Sequence, residues 1–332
     1  MIISKINEQT QELMKESESK LGVVLSLFDG MSCGQIALNR SGIGYQRYYS
    51  SEIDSHAIKV TQHHYPDTIQ LGSVLDIKGK DLPQIDLLIG GSPCQGFSFS
   101  GKQLNFEDPR SKLFFEFVRL VKECKPKYWL LENVVMKKQF ERVITEYLGV
   151  EPIKINSSLV SAQNRERLYW ANFPIEQPDD RGIKLSDILE DTEMILPGTS
   201  SRVKVNKATI LGRRLNEKGK REDYNKEIPI TQCIEVRATN TEKSNCLTTV
   251  AKDNVLTPLS IGRHIDAFKN KLPFRYYTIK ELCRLQTVPE DYFDKLVSEN
   301  QTRKMIGNGW TVDVIAHIFS KMIKNQKNEE TI

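Results

Sequence analysis

The chain has 332 residues, 39% of them hydrophobic and 27% charged, with a formal net charge of +4. This length predicts two domains or one large domain with an insertion. The near-average composition excludes disordered, collagen-like and disulfide-rich classes of protein.

No stretch of the chain approaches the roughly 20 consecutive apolar residues of a membrane helix. Residues 1–20 form a polar leader without the apolar core of a signal peptide. The six cysteines are too far apart for a CxxC motif, so neither a metal site nor a disulfide framework is expected. We therefore expect a cytoplasmic protein with no membrane partner.

Short apolar segments alternate with helical patterns over residues 21–173. LGVVLSLFDG predicts a strand and CGQIALNR the helix after it, and the alternation recurs in GYQRYYSSEID, SHAIKVTQHHY, IDLLIGG, SKLFFEFVRLVKEC and KYWLLENV. Alternating strands and helices are typical of βαβ units, whose parallel sheet is covered on both faces. Residues 21–173 are therefore predicted to form an α/β domain.

The alternation stops in residues 174–271, which are polar and contain short β-like pieces such as CIEVRAT and NCLTTV. This segment predicts a second, smaller domain of irregular or β structure. Nine basic and three acidic residues lie between Arg202 and Lys226, a charge that suits either a solvated surface or phosphate. Helical patterns return over 272–332, which we expect to complete the first domain.

The first predicted strand ends in a glycine turn that can hold a ligand. Gly30 and Gly34 bracket a turn that opens a helix, where backbone amides can approach a ligand closely. Glu52 ends the second strand at the spacing from Asp29 at which a carboxylate meets ribose hydroxyls. Because Asp29 would repel pyrophosphate, a nucleoside with a cationic amino-acid tail, such as S-adenosyl-L-methionine, fits better than a dinucleotide. The alternative is an ordinary turn with a surface glutamate.

A second group of candidates lies near the ends of later strands. GGSPCQGFSFSG places Cys94, a candidate nucleophile, in a glycine-rich loop at the carboxyl end of the sheet. Glu132 ends the strand WLLENV at the same edge, where a buried carboxyl group can donate a proton. In QNRER a strand period of two places Gln163, Arg165 and Arg167 on one face, which suits phosphate or a base oxygen. The alternatives are a structural thiol, a strand cap and a solvated strand face.

Six ordered motifs together resemble those of the DNA (cytosine-5)-methyltransferase family. They are FDGMSCG, SPCQGFSFSG, LLENV, QNRER, RYYTIKELCRLQTVPEDY and MIGNGWTV. The resemblance covers residues 23–173 and 272–322, and the unmatched segment 174–271 corresponds to the family's variable target-recognition domain. It implies a Rossmann-like methyltransferase fold, with a mixed, mostly parallel sheet and a smaller irregular or β domain.

The resemblance also implies an activity, the transfer of a methyl group from S-adenosyl-L-methionine to carbon 5 of a cytosine. The base would be flipped out of a specific double-stranded DNA sequence. Cys94 would attack carbon 6 and Glu132 would protonate or hydrogen-bond ring nitrogen 3. Arg167 would hold the exocyclic oxygen, and Arg165 would brace the catalytic loop or a phosphate. A metal-free, monomeric, bacterial or phage-encoded enzyme is expected. It would either act alone or, in a restriction-modification system, accompany a cognate restriction endonuclease.

Further residues are assigned to the two ligands. The cofactor contacts expected from the resemblance are Phe28, Asp29, Gly30, Gly34, Glu52, Ser73, Val74, Asn308 and Trp310. The expected DNA contacts are Ser98, Gln163, Arg213, Arg214, Arg237 and Thr249. Two positions depart from the family pattern: Ser73 replaces an acidic residue that meets the adenine amino group, and Trp310 replaces a valine common in bacterial members. Trp310 then either packs on the cofactor or belongs to the core.

Three other functions compete with this one. An RNA (tRNA) cytosine-5 methyltransferase shares the fold, but the chain lacks the Cys-Phe-Thr tripeptide of that branch. A catalytically inactive DNA-binding module would be expected to lose Cys94 or Glu132, and both are present. A nicotinamide oxidoreductase is disfavoured by Asp29 and by the missing third glycine of the dinucleotide motif.

Overall fold

The structure is a computed structural model that describes residues 20–93, 109–195, 200–218, 221–236, 242–258, 262–264 and 273–329. The chain divides into two units. The first comprises Met1–Asn156, Glu166–Asp179 and Trp310–Ile332, and the second comprises Ser157–Arg165 and Asp180–Gly309. Within the described residues, no helix is both long and apolar enough to cross a membrane.

A seven-stranded sheet forms the centre of the first unit. Its strands are β1 Lys20–Leu27, β2 Gly44–Ser51, β3 Ile69–Gln70, β4 Leu87–Gly91, β5 Tyr128–Val134, β6 Ile153–Asn156 and β7 Glu166–Ala171. They lie in the order β3-β2-β1-β4-β5-β7-β6. Strands β1 to β5 are parallel to one another, whereas β7 is antiparallel to both of its neighbours, β5 and β6.

The second unit contains antiparallel sheet. Its strands are β8 Glu193–Ile195, β9 Arg202–Lys204, β10 Asn206–Arg214, β11 Ile230–Val236, β12 Val255–Thr257, β13 Gly262–His264 and β14 Arg275–Tyr276. Five of them lie in the order β13-β11-β10-β12-β14, and β8 pairs with β9 separately. Side chains of β10, β11 and β12, including Ile210, Ile234 and Val255, form its small apolar core.

The helices within the described residues belong to both units. Those of the first unit pack apolar side chains such as Phe117 and Leu120 of the third helix against core strand residues such as Leu131. In chain order the helices are α1 Cys33–Ser41, α2 Ser55–His64, α3 Pro109–Cys124, α4 Lys138–Leu148, α5 Leu185–Ile188, α6 Ile279–Gln286, α7 Glu299–Asn308 and α8 Val312–Glu329.

The predicted fold class is confirmed, because the structure has a mixed, mostly parallel sheet with helices and a smaller set of antiparallel strands. The prediction for QNRER is wrong in one respect. Strand β7 begins only at Glu166, so Gln163 and Arg165 precede it. The helices α6 and α7 group with the second unit, whereas the sequence analysis placed 272–332 with the first domain.

Candidate active site

The chain leaves β1 through a turn with left-handed backbone conformations. Phe28, Gly30 and Ser32 have φ angles of 57°, 58° and 61°. A Cβ atom added at Gly30 would have no other atom within 4 Å, so this part of the turn faces open space. The turn leads directly into α1, and its exposed backbone can therefore meet a ligand.

Glu52 lies just beyond the end of β2 and fixes this turn. Its Oε2 accepts a hydrogen bond from the backbone N–H of Gly30 at 2.8 Å. Its Oε1 accepts from the backbone N–H groups of Ile53 at 2.7 Å and Asp54 at 2.8 Å. Three of the roughly four acceptor positions of the carboxylate are thus used. The remaining position, on Oε2, can accept a hydrogen bond from a ligand hydroxyl.

The side chain of Asp29 lies beneath the turn. The residue is 9% exposed, and its carboxylate accepts hydrogen bonds from the Tyr48 hydroxyl at 2.8 Å and the Ser50 hydroxyl at 3.1 Å. Burial raises the pKa of Asp29, and hydrogen bonds from hydroxyl groups oppose that rise. The structure therefore shows Asp29 supporting the turn from within, whereas the sequence analysis expected it to meet a cationic ligand.

Gly34 allows close packing between α1 and the sheet. A Cβ atom at this position would lie 2.5 Å from Ile89 Cδ1 and 2.7 Å from the Tyr48 hydroxyl oxygen. The absence of a side chain lets the first turn of α1 approach the sheet closely. The structure thus gives Gly34 a packing contact where the sequence analysis expected a cofactor contact.

Two exposed apolar side chains near the ends of β2 and β3 were missed by the sequence analysis. Ile53 is 77% exposed and Leu75 is 64% exposed. Ser73 caps the short 3₁₀ helix that contains Leu75, accepting from the Leu75 N–H at 3.3 Å, while the predicted contact Val74 is buried. The signal for them was an apolar residue directly after Glu52 and after Val74, where a turn ordinarily carries a polar one.

Glu132 lies two residues before the end of β5, opposite Gly91 of β4, and is 8% exposed. Its Oε1 is 3.0 Å from Arg167 Nε in an ion pair, and its Oε2 accepts a hydrogen bond from Trp310 Nε1 at 3.1 Å. A buried carboxylate, a cation and an indole donor therefore meet at the carboxyl edge of β4 and β5. The chain continues beyond β4 to Pro93, and Cys94 and Ser98 lie outside the described residues.

Arg165 is 3% exposed and binds backbone within the second unit. Its guanidinium group donates to the carbonyl oxygens of Leu247 at 2.9 Å, Gly307 at 3.2 Å and Gly309 at 3.0 Å. Asn308, between the two glycines, is exposed. This geometry fits a role of Arg165 in bracing the chain. It does not fit a phosphate contact, because the N–H groups of the guanidinium group already donate to carbonyl oxygens.

Gln163 is fully buried, contrary to the expectation of a DNA contact. Its amide nitrogen donates to the carbonyl oxygen of Leu285 and to Gln286 Oε1, both at 3.1 Å. Its oxygen accepts from the Leu247 N–H at 2.7 Å. Both Gln163 and Arg165 therefore hold the chain at Leu247, immediately before the exposed residues 248–250.

Two arginines of the basic run, Arg213 and Arg214, have partners within the second unit. Arg213, with a side chain 14% exposed, forms ion pairs with Glu235 at 3.2 Å and Asp223 at 3.6 Å. Arg214 donates to two carbonyl oxygens of residues 226–228. Arg213 and Arg214 were expected to contact phosphate, but in the structure their guanidinium groups bind other residues of the protein. Exposed cations of the run are Arg202, Lys204, Lys218, Arg221 and Lys226.

The predicted DNA contact Thr249 lies in an exposed turn. The turn is shaped by Thr248, whose hydroxyl donates to Asp253 Oδ2 at 2.6 Å and accepts from the Val250 N–H at 3.1 Å. Thr249 is therefore presented on a fixed backbone. Arg237 lies outside the described residues.

The sequence is similar to one protein family and to individual methyltransferases. A family model described as C-5 cytosine-specific DNA methylase matches residues 23–324. The type II methyltransferase M1.ScrFI of Lactococcus lactis subsp. cremoris is 30% identical over 324 residues, which are 91% of this chain and 78% of that protein. The orphan methyltransferase M.SPRI of Bacillus phage SPR is 38% identical over 159 residues, which are 44% of this chain but only 36% of the phage protein.

A solved structure shares the fold. The Entamoeba histolytica methyltransferase EhMeth superposes with a TM-score of 0.65, covering 92% of this chain and 99% of its own. The two sequences are 16% identical. At that identity the likeness shows the fold alone.

The burial of Asp29 predicts a particular pH dependence of stability. Because its pKa is raised in the folded state, the folded protein keeps a proton that the unfolded chain releases above about pH 4. This contribution to stability therefore declines as the pH rises from about 4 to the raised pKa. Asp29→Asn removes it, so the wild-type minus variant difference in unfolding free energy should shrink towards neutral pH in urea denaturation. A difference that is constant or grows would contradict this account.

Proposed function

The chain belongs to the C-5 cytosine-specific DNA methylase family, whose members use S-adenosyl-L-methionine, and we propose that it methylates carbon 5 of a flipped-out cytosine in a specific double-stranded DNA sequence. The observation that carries the proposal is the pairing of Glu132 with Arg167 at the edge where the SPCQGF motif begins. A carboxyl group and a guanidinium group side by side match the ring nitrogen and exocyclic oxygen of cytosine, which are adjacent on that base.

The turn after β1 and the end of β2 fit the cofactor. Gly30 leaves open space above the turn, and Glu52 keeps one acceptor position for a ribose hydroxyl. The exposed side chains of Ile53 and Leu75 offer apolar surface for the adenine ring, with Ser73 nearby as a polar group. When bound, S-adenosyl-L-methionine supplies an electrophilic methyl group on a positively charged sulfur.

Cys94 is proposed as the nucleophile on the strength of its motif and of its place after β4. Its sulfur would form a bond with carbon 6 of cytosine while Glu132 hydrogen-bonds or protonates nitrogen 3, so that electron density moves to carbon 5. Carbon 5 would then accept the methyl group as the bond between that group and the cofactor sulfur breaks, and it would release its own proton to solvent. The electrons of the carbon 5–hydrogen bond would restore the ring double bond, and the bond between carbon 6 and the Cys94 sulfur would break to return the thiolate.

Arg167 would hold the exocyclic oxygen of the base. In the structure its Nε contacts Glu132 and its Nη1 donates to the carbonyl oxygen of Glu166 at 2.8 Å. The base must therefore share or replace the contact with Glu132. Extrusion of the base costs a few kcal/mol of unstacking, which contacts of this kind have to offset.

We propose that residues 174–271 select the DNA sequence. The exposed turn at 248–250 follows directly after Leu247, and hydrogen bonds between Leu247 and the side chains of Arg165 and Gln163 fix the backbone there. The exposed cations of the basic run suit phosphate, which positions a protein on DNA without reading sequence. Arg213 and Arg214 are proposed to support the fold of this segment.

Incubation with S-adenosyl-L-methionine labelled on the methyl group tests the proposed function. We expect label to enter mixed-sequence double-stranded DNA as 5-methylcytosine and to be absent from total tRNA. Cys94→Ser should abolish transfer, because a hydroxyl group is too weak a nucleophile for carbon 6. Label in RNA alone would favour the tRNA enzyme, and label in neither would contradict methyl transfer to nucleic acid.

Replacement of Glu52 tests the cofactor site. In Glu52→Gln an amide NH₂ replaces one carboxylate oxygen, so the charge-assisted hydrogen bonds to Gly30 and to the ribose are weakened. We expect calorimetry to show cofactor binding roughly tenfold weaker or worse, since such bonds are worth about 1.5 to 3 kcal/mol each. DNA affinity should stay nearly unchanged. The exposed Glu151→Gln is the matched control, and equal cofactor dissociation constants for the two variants would place the ribose elsewhere.

Exchange of residues 174–271 for those of a relative with a different target tests the assignment of specificity. The chimera should methylate the sequence of the relative, because Glu132, Arg167 and the cofactor turn are retained. Bisulfite sequencing of treated DNA reports the methylated site. An active chimera that keeps the original target would show that specificity lies outside this segment.

A further inference from the structure

We propose that the indole N–H of Trp310 positions the Glu132 carboxyl group for its contact with cytosine; the importance of Glu132 here rests on the proposed function. The sequence predicts that Trp310 packs on the cofactor or belongs to the core. In the structure its Nε1 is 3.1 Å from Glu132 Oε2, on the opposite oxygen from Arg167. Trp310 is therefore a positioning residue that acts through Glu132.

The two donors on Glu132 differ in chemistry. Arg167 is a permanent cation, and the proposed function takes it to the exocyclic oxygen of the base. Trp310 offers one neutral N–H and accepts no hydrogen bond. It therefore stays on Oε2 when Arg167 engages the base. This arrangement leaves Oε1, the oxygen that Arg167 contacts in the structure, for nitrogen 3 of the base.

Contacts with α1 fix the backbone of Trp310, and β4 leaves room for its indole. The carbonyl oxygen of Trp310 accepts from Cys33 Sγ at 3.8 Å, at the start of α1, and α1 packs against α8 immediately after Trp310. A Cβ atom at Gly91 would lie 2.8 Å from Trp310 Nε1 and 3.0 Å from Glu132 Oε2. Glycine at the end of β4 thus leaves the space that this hydrogen bond occupies.

Indole resonances in a ¹⁵N-labelled protein test the contact without any assay of activity. The chain has three tryptophans, and Trp310→Phe identifies the Trp310 resonance. Glu132→Ala removes the acceptor, so this resonance should shift and its N–H should exchange faster with water. The matched reference is Trp170, whose Nε1 donates to Thr145 Oγ1 at 3.1 Å and should not respond. An unchanged Trp310 resonance would overturn the proposal, whatever the outcome for the proposed function.

Removal of the N–H alone tests its consequence for catalysis. Benzothienylalanine at position 310 keeps the shape of the ring and replaces N–H with sulfur. A positioning role predicts a kcat about tenfold lower or more, with the KM for S-adenosyl-L-methionine within about twofold. The same replacement at position 170 should lower stability and leave kcat unchanged. A raised cofactor KM with kcat retained, or no change in either, would overturn the proposal.

A double-variant comparison shows whether Trp310 acts through Glu132. In the Glu132→Gln background, the replacement at position 310 should cost little further activity, because the group that it positions is already altered. Additive losses would mean that Trp310 acts independently and would overturn the proposal. If the wild type methylates no DNA, the proposed function fails, and the indole resonance remains the test of the contact.

Discussion

A carboxylate removed from water requires fixed partners, because the cost of desolvation is several kcal/mol for each buried ion. One such partner of Glu132 is Arg167, which is close enough because a single strand of the sheet, β7, is antiparallel to its neighbours. Since β7 runs antiparallel to β5, its beginning lies beside the end of β5, where Val134 pairs with Arg167. A parallel strand in that position would bring its carboxyl end to this edge and its beginning to the opposite one. The mixed topology of the sheet therefore creates the ion pair at the edge where β4 delivers the chain to Cys94.

The parallel strands produce the second half of the site by the same geometric rule. β1 and β2 are parallel neighbours, so the turn at Gly30 and the carboxylate of Glu52 emerge at one edge and meet in a hydrogen bond of 2.8 Å. Asp29 supports this turn from beneath, at the cost of a raised pKa. The proposed binding of a nucleoside and the proposed activation of a base thus both depend on the edge at which these strands end.

Regular periodicity made much of this fold predictable. The strands and helices over residues 21–173 follow apolar patterns that local physics enforces, and β1, α1, β2 and α2 lie where the sequence placed them. Motifs also singled out Glu132, Glu52 and Gly30, which lie near the ends of β5, β2 and β1 in the structure. Side-chain direction was less predictable: Asp29 lies in the predicted turn, yet its carboxylate is buried against the hydroxyl groups of Tyr48 and Ser50.

Charge counts and alternation predicted the wrong contacts for residues whose partners are distant in the sequence. Arg213 contributes to a basic run, but the pairing of β10 with β11 brings Glu235 to its guanidinium group. Gln163 and Arg165 alternate in burial with exposed neighbours, as in a strand, although they precede β7 and bond to distant backbone. The contact of Trp310 with Glu132 joins residues 178 positions apart, which no local pattern encodes.

Covalent trapping on DNA that contains 5-fluorocytosine tests whether Cys94 attacks cytosine. Fluorine at carbon 5 replaces the proton that must leave, so an adduct that has received the methyl group cannot release the enzyme. DNA synthesised with 5-fluorocytosine throughout contains every sequence that the enzyme could recognise. The proposed attack by Cys94 predicts a denaturation-resistant adduct that requires S-adenosyl-L-methionine and whose peptide map places the nucleotide on Cys94. No adduct, or an adduct on another of the six cysteines, would contradict it.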